Sequence, residues 1–116
     1  MALPEILYDV FYVTQLIQGT ALESVVAVDR VRVEPRKSSG THRHNDAETV
    51  LFIEKGSGVV KVGGVCFVVN AGDRISIPKG SWHSVHTAQH ELIFTSIQSP
   101  PIHDEKTGRH DLELLL

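Results

Sequence analysis

Runs rich in valine, isoleucine and phenylalanine recur along this chain, each closed by glycine, proline, asparagine or aspartate. Their spacing of roughly 8–12 residues is the signature of an all-β sandwich or barrel. Residues 6–13 predict a first strand. Residues 25–33 predict a second, ended by Pro35, which has no N–H for a ladder. Within that second run the apolar phase slips, with Val26 and Val28 on one face and Val31 and Val33 on the other. A bulge, or burial of both faces against a partner, would account for the slip. Further strands are expected at 49–53, 59–62, 65–69, 74–77, 82–87 and 91–98, about eight in all. Gly56-Ser57-Gly58 reads as a turn, and Gly63-Gly64 as a tight hairpin, because both glycines can adopt φ > 0. A short helix is possible only near residues 14–22, where Gly19 weakens it. Alternation makes Phe52, Val60, Val62, Phe67, Val69, Ile75, Ile77, Val85 and Phe94 the candidate inner face.

Composition adds bounds. The chain has 116 residues, 41% hydrophobic, and a formal net charge of -3. That length suits one domain over residues 1–116, with a strand arm at about 1–24, a barrel at about 25–98 and a tail at 99–116. No basic block is present, so nucleic acid is not an expected partner. The length also leaves no room for a helix-turn-helix beside a barrel. No apolar run reaches the ~18 residues of a membrane span, and Glu5 and Asp9 interrupt the N-terminal apolar stretch. A cytoplasmic location is expected, without membrane association. The single cysteine, Cys66, cannot form an internal disulfide and reads as a small core residue between Val65 and Phe67.

The candidate chemistry lies in histidines. In an extended chain His42 and His44 point to the same side, with Arg43 pointing away. Neutral imidazole is the commonest side-chain metal ligand. Glu48 follows four residues later and offers a hard oxygen. About forty residues on, Gly72, a short strand, the turn Pro78-Lys79-Gly80 and then His83 follow one another. That turn aims the next strand back across the sheet and brings in a third imidazole. His86 should face away from His83. His90 sits in a turn, and His103 and His110 lie in a polar tail without partners at ligand spacing. Trp82 reads as a packing residue. There is no lysine-bearing phosphate loop and no nucleophile elbow.

The two histidine segments resemble the paired motifs of the cupin superfamily, over roughly residues 25 to 98. The first cupin motif runs His-x-His, three or four residues, Glu, six residues, Gly, and is matched at His42, His44, Glu48 and Gly56. The second runs Gly, five residues, Pro-x-Gly, two residues, His, and is matched at Gly72, Pro78, Gly80 and His83. Two departures stand out. Seven residues, not six, separate Glu48 from Gly56, so Thr49 competes with Glu48 for the ligand position unless a bulge follows Glu48. Thr87 stands where the motif ends in Asn, a position that in the family is usually structural or supports the ligands from behind.

The resemblance implies a cupin double-stranded β-helix, a jelly-roll-like barrel around a cavity. It also implies one divalent transition metal ion (iron, manganese, nickel, zinc or copper) held by His42, His44, Glu48 and His83. The family includes dioxygenases, isomerases, epimerases, decarboxylases and non-catalytic binders, so fold alone does not settle function. The expectation favoured is a metal-dependent, dioxygenase-like oxidoreductase acting on a small organic molecule. The alternatives are an oxygen-independent sugar-acid isomerase or cyclase, and a small-molecule binding or sensing module. A homodimer is expected, because residues 3–13 and 25–33 and the leucines at 112, 114, 115 and 116 carry more apolar surface than one barrel face needs.

Overall fold

The computed structural model describes residues 2–104 and 108–116. Strands β1 (Glu5–Tyr8), β2 (Phe11–Gln15), β3 (Ala27–Val33), β4 (His42–Arg43), β5 (Glu48–Val62) and β6 (Val65–Asn70) come first in the chain. They are followed by β7 (Arg74–Ile77), β8 (His83–His86) and β9 (Leu92–Ser99), and by the short tail strands β10 (His103–Asp104), β11 (Arg109–His110) and β12 (Glu113–Leu114). The fold is an all-β curled barrel. Its main sheet runs β1-β2-β3-β9-β5-β8-β4-β12, with β6 and β7 also paired to β5, while β10 and β11 form a separate ribbon. Among the described residues no helix is long and apolar enough to cross a membrane.

β5 belongs to both walls. Residues 48–56 pair with β9, and residues 57–62 pair with β6. The curl wraps a core of Val31, Val33, Leu51, Ile53, Val60, Val69, Ile77, Val85, Leu92 and Phe94. Val33, Val60, Val69 and Leu92 are wholly buried. Each such side chain contributes about 1.5–3 kcal/mol relative to exposure.

The Gly56-Ser57-Gly58 turn is absent, because β5 runs straight through it. A Cβ on Gly56 would lie 1.7 Å from the carbonyl oxygen of Glu91, and one on Gly58 would lie 2.7 Å from that of His86. Glycine is needed here for the close approach of β8 and β9, not for a reversal. Gly63-Gly64 does make the expected hairpin, with φ of 56° and 83°.

Residues 6–13 form a hairpin rather than one strand. Asp9, at φ 53°, turns the chain so that Tyr8 faces Phe11. No helix follows. Leu16 donates to the Val28 carbonyl and extends the sheet contact, and residues 17–26 then pass through consecutive turns.

The apolar slip in the second run is not a bulge. β3 pairs with β9 in unbroken register from Ala27 opposite Gln98 to Val33 opposite Leu92. The slip arises because Asp29 takes an inward place in line with Val31 and Val33, leaving Val28 on the other face.

The register shift lies instead between Ile53 and Lys55 of β5. Counting back in twos from buried Val60 would turn Glu48 and Phe52 inward. The bulge moves the phase by one residue, so Ile53, Leu51 and Thr49 face in. Phe52 is exposed for that reason. Phe67 lies opposite Val60 but is also exposed, because β6 pairs with β5 alone and lies at an open side. Cys66 is exposed too, not a core residue, since it pairs with Lys61 on the face opposite to buried Val69.

Candidate metal centre and its cavity

His42, His44 and His83 come together as the two segments predict. One nitrogen from each lies within 4.8 Å of the others. Strand pairing makes this meeting: His42 of β4 stands directly opposite His83 of β8. The ring centroids of that pair are 4.2 Å apart, and His44 lies 5.4 Å from His42 and 5.2 Å from His83. Arg43, between the first two, points away as expected. It packs over the Trp82 ring at 4.4 Å and pairs with Glu113.

Each imidazole is oriented through Nδ1. His42 Nδ1 meets the Gly40 carbonyl at 3.1 Å, His44 Nδ1 the Asp111 carbonyl at 2.7 Å, and His83 Nδ1 the Ser81 carbonyl at 2.9 Å. A carbonyl only accepts, so each ring carries its proton on Nδ1 and keeps the Nε2 lone pair free. Three fixed, neutral, converging nitrogens fit a divalent transition metal, and backbone carbonyls behind the rings are the usual way such ligands are held. Burial also disfavours the charged form of His42 and His83. It pushes the pKa of His83 down to about 3, with His42 nearby adding to the effect, and lowers that of His42.

Glu48 does not join them. It is exposed, and its Oε2 accepts the Lys79 N–H at 3.1 Å, tying the start of β5 to the turn before His83. Thr49 lines the cavity in its place, as the β5 bulge dictates. Among the described residues the cluster is therefore three imidazoles without a carboxylate. Thr87 is structural, as the family pattern implies: its hydroxyl accepts the Lys37 N–H and donates to the Glu34 carbonyl.

Two parts of the surroundings escaped the sequence reading. The tail is not a loose polar segment. β12 pairs with β4, and the Asp111 carboxylate accepts the backbone N–H groups of Asn45, Asp46 and Ala47, just after His44. Within the same tail His103 and His110 pair with each other, their Nδ1 atoms 2.9 Å apart, and His103 lines the cavity. The second part is the inner face of β3, β5 and β9, where Asp29, Thr49, Ser96 and Gln98 line a cavity that is otherwise largely apolar. The signal for it was faint: one acidic residue in an apolar strand, and a glutamine closing another.

The cavity has a volume of about 510 Å³ and is bounded by the three histidines, by Phe11, Val31, Leu51, Ile77, Val85 and Phe94, and by that polar group. Burial raises the pKa of Asp29 to about 6, although Gln98 donates to its carboxylate and opposes the shift.

The Cupin domain family profile matches residues 29–97, which contain all three histidines and both walls of the cavity. The chain belongs to the cupin family. Solved structures agree on the fold. A cupin-2 domain protein of Rhodospirillum rubrum is 21% identical, with a TM-score of 0.79, covering 99% of this cupin and 75% of that chain. A predicted oxalate decarboxylase of Thermotoga maritima is 19% identical, with a TM-score of 0.77, covering 85% of this cupin and 94% of that chain. A candidate sugar phosphate isomerase of Acidithiobacillus ferrooxidans is 18% identical, with a TM-score of 0.70, covering 90% of this cupin and 75% of that chain. No curated protein matches this cupin in sequence.

Proposed function

We propose that this cupin is a metal-dependent enzyme acting on a small organic anion, with a dioxygenase-like oxidation as the favoured reaction. The observation that carries this reading is the set of three neutral imidazoles with Glu48 turned away. Neutral nitrogens leave the charge of a divalent ion uncompensated, and the favoured incoming ligand is then a carboxylate or enolate oxygen. When bound, a divalent transition metal supplies Lewis-acid polarisation of a substrate oxygen and, if redox-active, activation of dioxygen. His42, His44 and His83 would hold it. Three protein donors leave positions open to exogenous ligands, unlike a closed structural site. The apolar side chains of Phe11, Val31, Leu51 and Phe94 would shield the substrate from water.

A second reading, an oxygen-independent isomerase or cyclase, is favoured by Asp29. Its raised pKa of about 6 suits a carboxyl that gives and takes protons near neutrality. The named activities of two structural relatives concern oxalate and a sugar phosphate, both small oxygen-rich anions, in keeping with the charge argument.

The test is aerobic against anaerobic turnover by iron, nickel, manganese and zinc forms, over a panel of β-diketones, hydroxy acids and unsaturated uronates. Oxygen uptake matched to substrate loss, and abolished by His83→Ala, supports the dioxygenase reading. Turnover that ignores oxygen supports the isomerase reading. Saturable ligand binding without turnover by any form would make the chain a sensing module instead.

A further inference from the structure

Among the described residues, two buried polar side-chain atoms have no hydrogen-bond partner: Oγ1 of Thr49 and Oε1 of Gln98. They are neighbours, because Thr49 of β5 stands directly opposite Gln98 of β9. Both residues line the same cavity as the three histidines, and they are only 4% and 7% exposed. Buried polar groups are almost always paired, and leaving them unpaired costs stability. Two adjacent orphans on one wall of one cavity are better explained by a ligand than by chance.

The rest of the wall shows what kind of ligand. Gln98 Nε2 donates to Ser96 Oγ at 2.8 Å and to Asp29 Oδ2 at 3.4 Å. Both amide hydrogens are thereby used, and the amide is held with Oε1 as a free acceptor. Asp29 stands opposite Ser96 across the β3–β9 ladder, so the four side chains form one polar patch. An acceptor oxygen, a carboxyl and a hydroxyl that can act either way call for a donor on the ligand.

We infer that Asp29, Thr49, Ser96 and Gln98 form a polar subsite that receives a hydroxyl of the substrate, which is accordingly a small hydroxylated organic anion. This rests on the proposed metal-dependent function: the anionic end goes to the ion at the histidines and the hydroxyl end to the subsite. Thr49 and Gln98 are specificity-determining residues.

The test uses cobalt(II)-loaded protein and pairs of short straight-chain carboxylates, plain and ω-hydroxylated, matched in chain length. Calorimetry reads affinity, and the cobalt absorption spectrum reads engagement of the ion. At the chain length that spans the cavity, the hydroxy acid should bind about fivefold to tenfold more tightly than its plain counterpart, the equivalent of one good buried hydrogen bond. Thr49→Val and Gln98→Leu should each abolish that preference while leaving cobalt stoichiometry unchanged and the plain acid bound at least as tightly as by wild type. Thr49→Val should also raise the Tm of the ligand-free protein, since it removes an unpaired buried hydroxyl at constant shape. It carries the test alone if Gln98→Leu does not fold. Equal binding of both members of every pair, or a preference that survives in the variants, would overturn the inference. Failure of wild-type protein to take up cobalt would instead overturn the metal reading, and this inference with it.

Discussion

The carbonyl oxygen of Asp111 accepts a hydrogen bond from Nδ1 of His44 at 2.7 Å, across 67 residues of sequence. The same residue's carboxylate gathers the N–H groups of Asn45, Asp46 and Ala47. One tail residue thus sets the orientation of a candidate ligand and the path of the loop behind it. Asp111→Ala should cost about 2–3 kcal/mol of stability, because a charged acceptor loses three N–H donors, one of them, that of Ala47, buried. It should also weaken metal uptake through disorder at His44. Asp111→Asn, which keeps one acceptor oxygen, should lie between. Burial disfavours the charge on Asp111, but the three N–H groups outweigh it and keep the pKa below the ordinary carboxylate value. That contribution is present above about pH 4 and is lost as pH falls below it. Thermal melts and metal analysis of the two variants check this. A full metal complement in Asp111→Ala would refute the positioning role.

For the centre itself, we expect His42→Ala, His44→Ala and His83→Ala each to leave a folded barrel and to reduce bound metal at least tenfold. Glu48→Gln should leave metal content unchanged, since the side chain faces out and caps the Lys79 N–H. Elemental analysis of protein purified without an affinity tag decides both. Loss of metal in Glu48→Gln alone would restore the carboxylate to the ligand set.

The difference between these two expectations shows what was legible in the chain. His42 and His44 share a face by the period of two, and Pro78-Lys79-Gly80 aims His83, but the meeting of all three rests on the pairing of β4 with β8, which the resemblance to the paired cupin motifs implied. Glu48 did not follow. Its facing depends on a bulge between Ile53 and Lys55; the spacing to Gly56 left Glu48 and Thr49 in competition but did not say where along the strand a bulge would fall. A one-residue shift inverts every side chain upstream of it, and the same shift put Phe52 outside. Gly56 and Gly58 misled for a related reason: glycine that serves close strand approach looks the same in sequence as glycine that serves a turn. The role of Asp111 rests on contacts more than sixty residues away, beyond any local signal.

The metal-free protein should lose stability in mild acid. The unfolded chain takes up protons on His42 and His83 near pH 6.5, while burial keeps both rings neutral in the fold, His83 down to about 3. The unfolded state therefore binds more protons in that window, and stability falls as pH drops, by up to about 1.4 kcal/mol per pH unit per group. Asp29 acts in the opposite sense. Its folded pKa of about 6 lies above the ordinary 3.8, so its charge destabilises the fold above 6 and the penalty is relieved as pH falls toward 3.8. Two histidines outweigh one carboxyl, and the net slope is a loss. Asp29→Asn should be more stable than wild type at pH 7.5 and should fall more steeply between pH 6 and 4. Melting curves across that range test it, and parallel curves for the two proteins would contradict the role given to Asp29.

The remaining expectation is the homodimer. β1 pairs with β2 and stands at the end of the main sheet's strand order. All four of its residues are exposed, with Ile6 at 52% and Leu7 at 56%. Leu3, Leu22 and Val25 are likewise exposed large apolar residues. An open edge strand with apolar side chains invites pairing with another chain, and a two-fold partner is the commonest way to satisfy it. We expect a dimer mass by light scattering at micromolar concentration. Leu7→Lys should shift the protein toward monomer, because a buried charge at the junction costs more than one lost apolar contact. Leu7 is not part of the cavity lining, whereas its neighbours Ile6 and Tyr8 are. Metal content should therefore stay constant in the variant, which separates assembly from the centre. A monomer mass for the wild type would mean that this edge is protected in some other way, and would remove the dimer from the description of the protein.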